Sequence, residues 1–314
     1  MRAKTDWFHD AAWGVFFHYL TGTETTTDAW NRRVDCFDVA LFARQLADVG
    51  APYCFFTIGQ NSGHFCAPNA TYDEFVGRHP SRCSQRDLIG DLHQALAQYD
   101  ISLLVYLPSG APSQDEQAMA RLDWRWGTVE PWPAWGGGLT GERLAEFQKR
   151  WEAVIAEWSM RWGERVRGWW FDGCYFSDAI YRCADAPNFY TLTSAAKAGN
   201  RASLVAFNPG VLTPVISLTP AEDYTAGEIA EAFPTCPGRW VDGAQYHVLS
   251  YLGERWSGGE PRLPVELVVA YTLYLQSHGG VMSWDLPIAL DGTIAPHYLS
   301  QLAAIGKALK RQGT

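Results

Sequence analysis

Gly168-Trp169-Trp170-Phe171-Asp172-Gly173 is the stretch on which the fold turns. Three consecutive aromatic rings leave neither face of an extended segment polar. A strand here must be covered on both sides, which is the condition of a parallel sheet flanked by helices. The run ends in an ionisable side chain followed by glycine. Reactive groups of α/β barrels sit at the C-terminal ends of strands, and a buried carboxyl needs a partner or a task, so Asp172 is the first candidate for chemistry. An Asp after a strand also commonly caps the next helix, and on this residue alone the two readings weigh equally.

The same rhythm extends in both directions. Upstream lie apolar runs at Gly14–His18 (GVFFH), Tyr53–Ile58 (YCFFTI) and Ser102–Leu107 (SLLVYL), separated by amphipathic stretches at 39–49, 86–99 and 141–164. Downstream follow a helical segment near 188–198, a strand at Ser203–Asn208 (SLVAFN), irregular short strands to about Leu252, a helix at 264–278, a strand at Val281–Trp284 and a last helix at 297–310. About eight strands alternating with helices over 314 residues predict a single α/β domain, a parallel (β/α) barrel of the TIM type spanning 1–314. The Gly/Pro/Trp-rich stretch 124–138 and the segment 213–222 are too long for minimal connections and read as functional loops.

Composition narrows the function. A net charge of −9 offers no general attraction to phosphate backbones or anionic lipid, so neither nucleic acid nor a membrane is expected as partner. Fifteen Trp, fourteen Tyr and fifteen Phe exceed what a core of this size needs, and flat apolar rings suit the C–H faces of sugars; for any one ring, however, core packing is the commoner use. Seven cysteines without a CxxC pair read as reduced thiols, and no metal or cofactor is implied. The N-terminal stretch lacks an apolar run followed by small residues, and nowhere do ~18 apolar residues run together, so a cytoplasmic location is expected.

Hydrolysis of a glycoside with retention requires a second carboxyl about 5 Å from the first. Glu228, in EDYTAGE, is the candidate, with Glu222, Asp223 and Glu231 as rivals that spacing alone does not eliminate. Asp172 would attack the anomeric carbon; Glu228, held protonated by burial and its neighbour's charge, would protonate the leaving oxygen.

Taken in order, the segments resemble those of the retaining α-L-fucosidases over nearly the whole chain. WFHDAAWGVFFHYLTG is similar to that family's opening, with its strand-end His, and FDVALFARQLADVGAPYCFFT to its first helix and second strand. GWWFDG resembles the nucleophile strand, DYTAGE after FNPG the acid/base segment, and SHGGVMSWDLPIALDGTI the last strand and its turn. The resemblance implies an irregular α/β barrel, an exo-acting retaining hydrolase, Asp172 as nucleophile, Glu228 as acid/base, and a small sugar or glycoconjugate as substrate. By position it implies His18, Trp170, Asn208 and Tyr251 as sugar-binding residues.

Departures bear on the sugar. The family's His-His pair after the second strand is replaced by Gln60 and Asn61, with His64 a few residues on as a substitute. SWDLP stands where the family carries Asn, Leu and Gly-Pro, placing Trp284 and Asp285 near the pocket floor. The family's C-terminal β-sandwich is not expected here. Two other readings follow: a glycosidase for another sugar, and a carbohydrate-binding barrel without chemistry. A metal-dependent isomerase or hydrolase would need His18, His64 and His247 to converge. A homo-oligomer is compatible with all of these.

Overall fold

The computed structural model describes residues 2–125 and 143–312. The main sheet has seven strands, all parallel: β1 Trp13–Phe17, β2 Tyr53–Thr57, β3 Ser102–Pro108, β4 Gly168–Asp172, β5 Leu204–Phe207, β8 His247–Tyr251 and β9 Val281–Asp285, in the order β5-β4-β3-β2-β1-β9-β8. A small antiparallel ribbon, β6 Trp240–Val241 and β7 Ala244–Gln245, lies outside it. The sheet curls into an arc consistent with a TIM-like barrel, its helices packed outside. Of the stretch 124–138 expected to be a functional loop, all beyond Arg125 lies outside the described residues, whereas 213–222 is irregular chain, as read from sequence.

Strand alternation sorts the side chains into two cores. Phe16, Phe55, Leu104, Tyr106, Trp170, Ala206 and Leu249 face the inside of the curl. Val15, Phe17, Phe56, Val105, Trp169, Phe171, Met282 and Trp284 face the helix layer. Both sets are buried, which is why the strands read as continuous apolar runs rather than as alternating ones. The helices are set by local signals: Asp38 accepts from Leu41 N at 2.9 Å to start Val39–Val49, and Asp87 accepts from Gly90 N at 2.9 Å to start Leu88–Ala97. Helices at Asp6–Ala11, Thr27–Asp35, Ala70–Val76 and Glu116–Leu122, too short for a clear periodic signal, are added to those the sequence predicted.

Between the edge strands β5 and β8 runs the irregular segment 223–229. Asp223 N donates to Val205 O (2.8 Å) on one side. On the other, Thr225 N donates to Gln245 O (3.0 Å), Leu249 N to Gly227 O (2.9 Å) and Ile229 N to Leu249 O (2.9 Å). Gly227 makes this pairing possible. Its φ is +64°, and an added Cβ would stand 1.9 Å from the His247 carbonyl oxygen. Gly227→Ala is therefore expected to destabilise the fold by at least about 2 kcal/mol, combining left-handed strain with a backbone clash, as measured by urea denaturation.

Candidate active site

Six of the strand ends deliver polar or aromatic groups to one rim. His18 follows β1, Gln60 and Asn61 follow β2, Asp172 ends β4, Asn208 follows β5, Tyr251 ends β8 and Asp285 ends β9. At this rim lies a cavity of about 310 Å³ whose walls include His18, Gln60, Tyr106, Trp170, Asp172, Glu228 and Trp256.

Asp172 is held by donors on every side. Tyr106 OH donates to Oδ2 at 2.6 Å, while Oδ1 accepts from Gly173 N at 2.8 Å, Asn208 Nδ2 at 2.8 Å and Tyr175 OH at 3.5 Å. The pattern is that of an acceptor-only carboxylate fixed in one rotamer. Tyr106 is itself fixed, accepting from Gln60 Nε2 at 2.6 Å and stacking on Trp170 with ring centroids 5.5 Å apart at 20°. The Trp170 ring is pinned by its Nε1, which donates to Ala226 O at 3.0 Å.

Asn208 Nδ2 also donates to Glu228 Oε2 at 2.5 Å. One amide nitrogen thus serves both carboxyl groups with its two hydrogens, and the bonded oxygens lie no further apart than the sum of those two bonds. Burial pushes the Glu228 carboxyl up to about 7, and the charge of Asp172 pushes in the same direction against the Asn208 bond and His18, which act to lower it. Two acids of unlike surroundings therefore share one amide.

The rival acids go elsewhere. Glu222 is fully buried beneath the loop after β5, where its carboxyl accepts from Leu218 N at 2.6 Å and Phe207 N at 3.3 Å. Asp223 accepts from Ala3 N at 2.6 Å and Val205 N at 2.9 Å and pairs with Lys197 at 2.6 Å. Glu231 is exposed. Of these four only Glu228 lines the cavity.

Several sequence-predicted positions need correction. Trp284 does not floor the pocket. On β9 it shares parity with Met282, points into the helix layer and donates from Nε1 to Thr272 Oγ1 at 2.9 Å. Its neighbour Asp285 faces the site and accepts from His18 Nδ1 at 2.6 Å. His64 lies behind the β2 loop, buried against Trp30 at 5.9 Å, and burial pushes its ring down to about 4, so it is neutral and does not replace the missing pair. Asn61 lines a smaller adjoining hollow of about 120 Å³ that shares Tyr106 and Asp172 with the main cavity. Tyr251 stands one step back, its ring 4.7 Å from Trp256 and beneath the Arg262 guanidinium at 3.9 Å. His247 sits deep in the curl, where Nδ1 donates to Thr225 O (3.0 Å) and Nε2 accepts from Ser283 Oγ (2.8 Å), so His18, His64 and His247 do not converge.

Sequence reading missed Tyr106, Trp256 and Ser257. Strand parity carried a signal for the first, because Tyr106 stands opposite Trp170 in the β3–β4 register. Trp256 and Ser257 lie in an irregular loop where no periodicity applies.

No family profile matches the chain, and no curated protein matches it in sequence. Solved structures share its fold. The endo-fucoidan hydrolase MfFcnA4 of glycoside hydrolase family 107 superposes with a TM-score of 0.75 at 17% identity, over 99% of this chain and 54% of its own. The endo-fucoidan hydrolase P5AFcnA of the same family gives 0.70 at 16% identity, over 95% of this chain and 92% of its own. An α-L-fucosidase of family 29 from Bacteroides thetaiotaomicron gives 0.63 at 18% identity, over 97% and 72%. The chain thus spans about half the length of MfFcnA4.

Proposed function

We propose that this chain is an exo-acting, α-L-fucosidase-like glycoside hydrolase that works by double displacement with retention. The observation that carries the proposal is the single Asn208 amide nitrogen bonded to both carboxyl groups. The two bonds, 2.8 and 2.5 Å, keep the bonded oxygens within 5.3 Å of each other, which supports the about 5–5.5 Å arrangement of retaining enzymes over the about 6.5–9.5 Å of inverting ones. The fold shared with hydrolases of families 107 and 29 supports the same class.

In this reading one sugar ring fills the cavity against Trp256 and Leu249, its anomeric carbon facing Asp172. Asp172 attacks that carbon as Glu228 delivers its proton to the departing oxygen. The glycosyl-enzyme is then opened by water, from which Glu228 takes a proton. Gln60 reaches the nucleophile only through Tyr106, so hydroxyl recognition at the former His-His position differs from the family pattern and the sugar preference follows it.

The test is a panel of 4-nitrophenyl glycosides that includes the α-L-fucoside. Cleavage of the α-L-fucoside above all others is the expected result; preference for another sugar moves the assignment to a related exo-glycosidase, and binding in calorimetry without cleavage makes the barrel a lectin. A second reading, endo action on a fucose polymer, is favoured by the higher TM-score with MfFcnA4 than with the α-L-fucosidase. Oligosaccharide rather than monosaccharide products from a fucan would select it.

A further inference from the structure

The last strand of the sheet ends in a carboxyl that joins two walls of the cavity. Asp285 is completely buried and faces three donors from two separate parts of the chain. His18 Nδ1, beyond β1, donates to Oδ1 at 2.6 Å. Ser257, in the loop between β8 and the helix Val265–Ser277, donates its backbone N–H to Oδ2 at 2.6 Å and its hydroxyl to Oδ1 at 3.2 Å. That loop carries Trp256, whose ring meets the His18 ring edge-on at 6.1 Å. Ser257 adopts a left-handed backbone, φ +52°, which turns its N–H inward to the carboxylate. The loop is closed on itself by reciprocal backbone bonds between Arg255 and Gly258 (3.2 and 3.1 Å) and fastened by Tyr298 OH to Gly259 O at 2.7 Å.

A carboxylate only accepts, so the proton of a neutral His18 must sit on Nδ1, and Nε2 is left as a lone-pair acceptor for the cavity. We propose that Asp285 is the positioning residue of this site: it fixes His18 as an acceptor of a sugar hydroxyl and, through Ser257, seats Trp256 against the same ring. The substrate named here rests on the glycosidase reading; the tautomer and the loop anchorage do not.

Asn at this position shows what the carboxylate contributes. Its oxygen accepts on one side only, and its NH2 then faces either the Ser257 N–H or the His18 ring. Asp285→Asn must therefore release the Ser257 amide or drive His18 to the Nε2–H tautomer. The experiment is long-range 1H–15N NMR on histidine-labelled protein, with His18→Gln assigning the resonance, alongside the Ser257 amide shift and kcat/KM on the best glycoside of the panel.

The expected result is a wild-type His18 protonated on Nδ1, and a variant in which either that tautomer or the Ser257 amide shift is lost. The loss of kcat/KM is expected to be about tenfold to a hundredfold, with a raised KM as Trp256 loses its seat. A wild-type His18 with a proton on Nε2, whether alone or together with one on Nδ1, overturns the proposal, and so does a variant with both resonances and kcat/KM unchanged. If no glycoside is cleaved, the glycosidase reading fails, while the spectra, which need no substrate, still decide the role of Asp285. Should Asp285→Asn not fold, the wild-type tautomer decides, together with Ser257→Ala, which keeps the backbone N–H and is expected to leave His18 unchanged; a tautomer switch in Ser257→Ala overturns the assignment to Asp285.

Discussion

Asp172→Ala is expected to lower kcat/KM on the preferred glycoside by a factor on the order of 10⁴ or more while leaving a folded protein. In the proposed mechanism the loss follows from removing the attacking atom, which no neighbour replaces: Tyr106, Asn208 and Gly173 are all donors turned toward the missing group. The fold is expected to survive because Asp172 itself lines the cavity, so water can enter the vacated space and accept from the donors left behind. Azide fills the vacated space and attacks the anomeric carbon once, so it restores part of the turnover and yields a glycosyl azide of inverted configuration. The variant also carries an internal check. The charge of Asp172 is one of the two causes that raise the Glu228 carboxyl, so Glu228 should ionise at lower pH in Asp172→Ala. Near wild-type turnover in this variant would remove Asp172 from the chemistry.

Glu228→Gln is expected to cost about 10²–10⁴-fold on a substrate with a poor leaving group and much less on one whose leaving group departs without a proton. The sign of the pH effect comes from burial and the adjacent carboxylate, which hold Glu228 protonated up to about 7. The wild-type rate should therefore fall as pH rises through about 7, as the acid loses its proton, and that limb should vanish in the glutamine variant. Stability follows the same sign. A carboxyl whose folded value lies above its unfolded one stabilises the fold fully below about 4.5 and loses that contribution as pH rises through about 7. Relative to wild type, Glu228→Gln should therefore gain on the order of 2 kcal/mol between pH 5 and 8 in denaturant titrations. With Glu228→Ala, azide attacks the glycosyl-enzyme instead of the substrate, so the product azide keeps the starting configuration, opposite to that from Asp172→Ala. A pH profile with no limb near 7 in wild type would move the proton donor elsewhere.

What the sequence disclosed, and what it withheld, follows the regularity of each element. GWWFDG declared itself because a strand buried on both faces has no polar interruption until its functional end, and the same held for GVFFH and SLLVYL. Parity is legible along the last strand too: counting by twos from Val281 puts Ser283 and Asp285 inward and Trp284 outward. The assignment of Trp284 to the pocket followed its chemistry rather than its phase. Glu228 presented the harder case. It stands on an irregular segment held between β5 and β8 by alternate hydrogen bonds, where neither helical nor strand periodicity exists, so four acids in ten residues looked alike. Only tertiary burial distinguishes them. Trp256 and Ser257 were hidden for the same reason, since their placement depends on a carboxylate nearly thirty residues further on.

The shared amide of Asn208 has a consequence for how such a site can change over generations. A side chain serving two acids at once needs two hydrogens on a single nitrogen, no charge of its own and a reach of one methylene. Aspartate would bring a third negative group, glutamine would overshoot, and serine has a single hydrogen to give. No one-step replacement preserves both bonds, so the two carboxyl groups are not free to drift independently: whatever moves one must carry the other with it, and change is channelled into the outer wall at Trp256, which bonds to neither carboxyl, rather than to Gln60, which holds Asp172 through Tyr106.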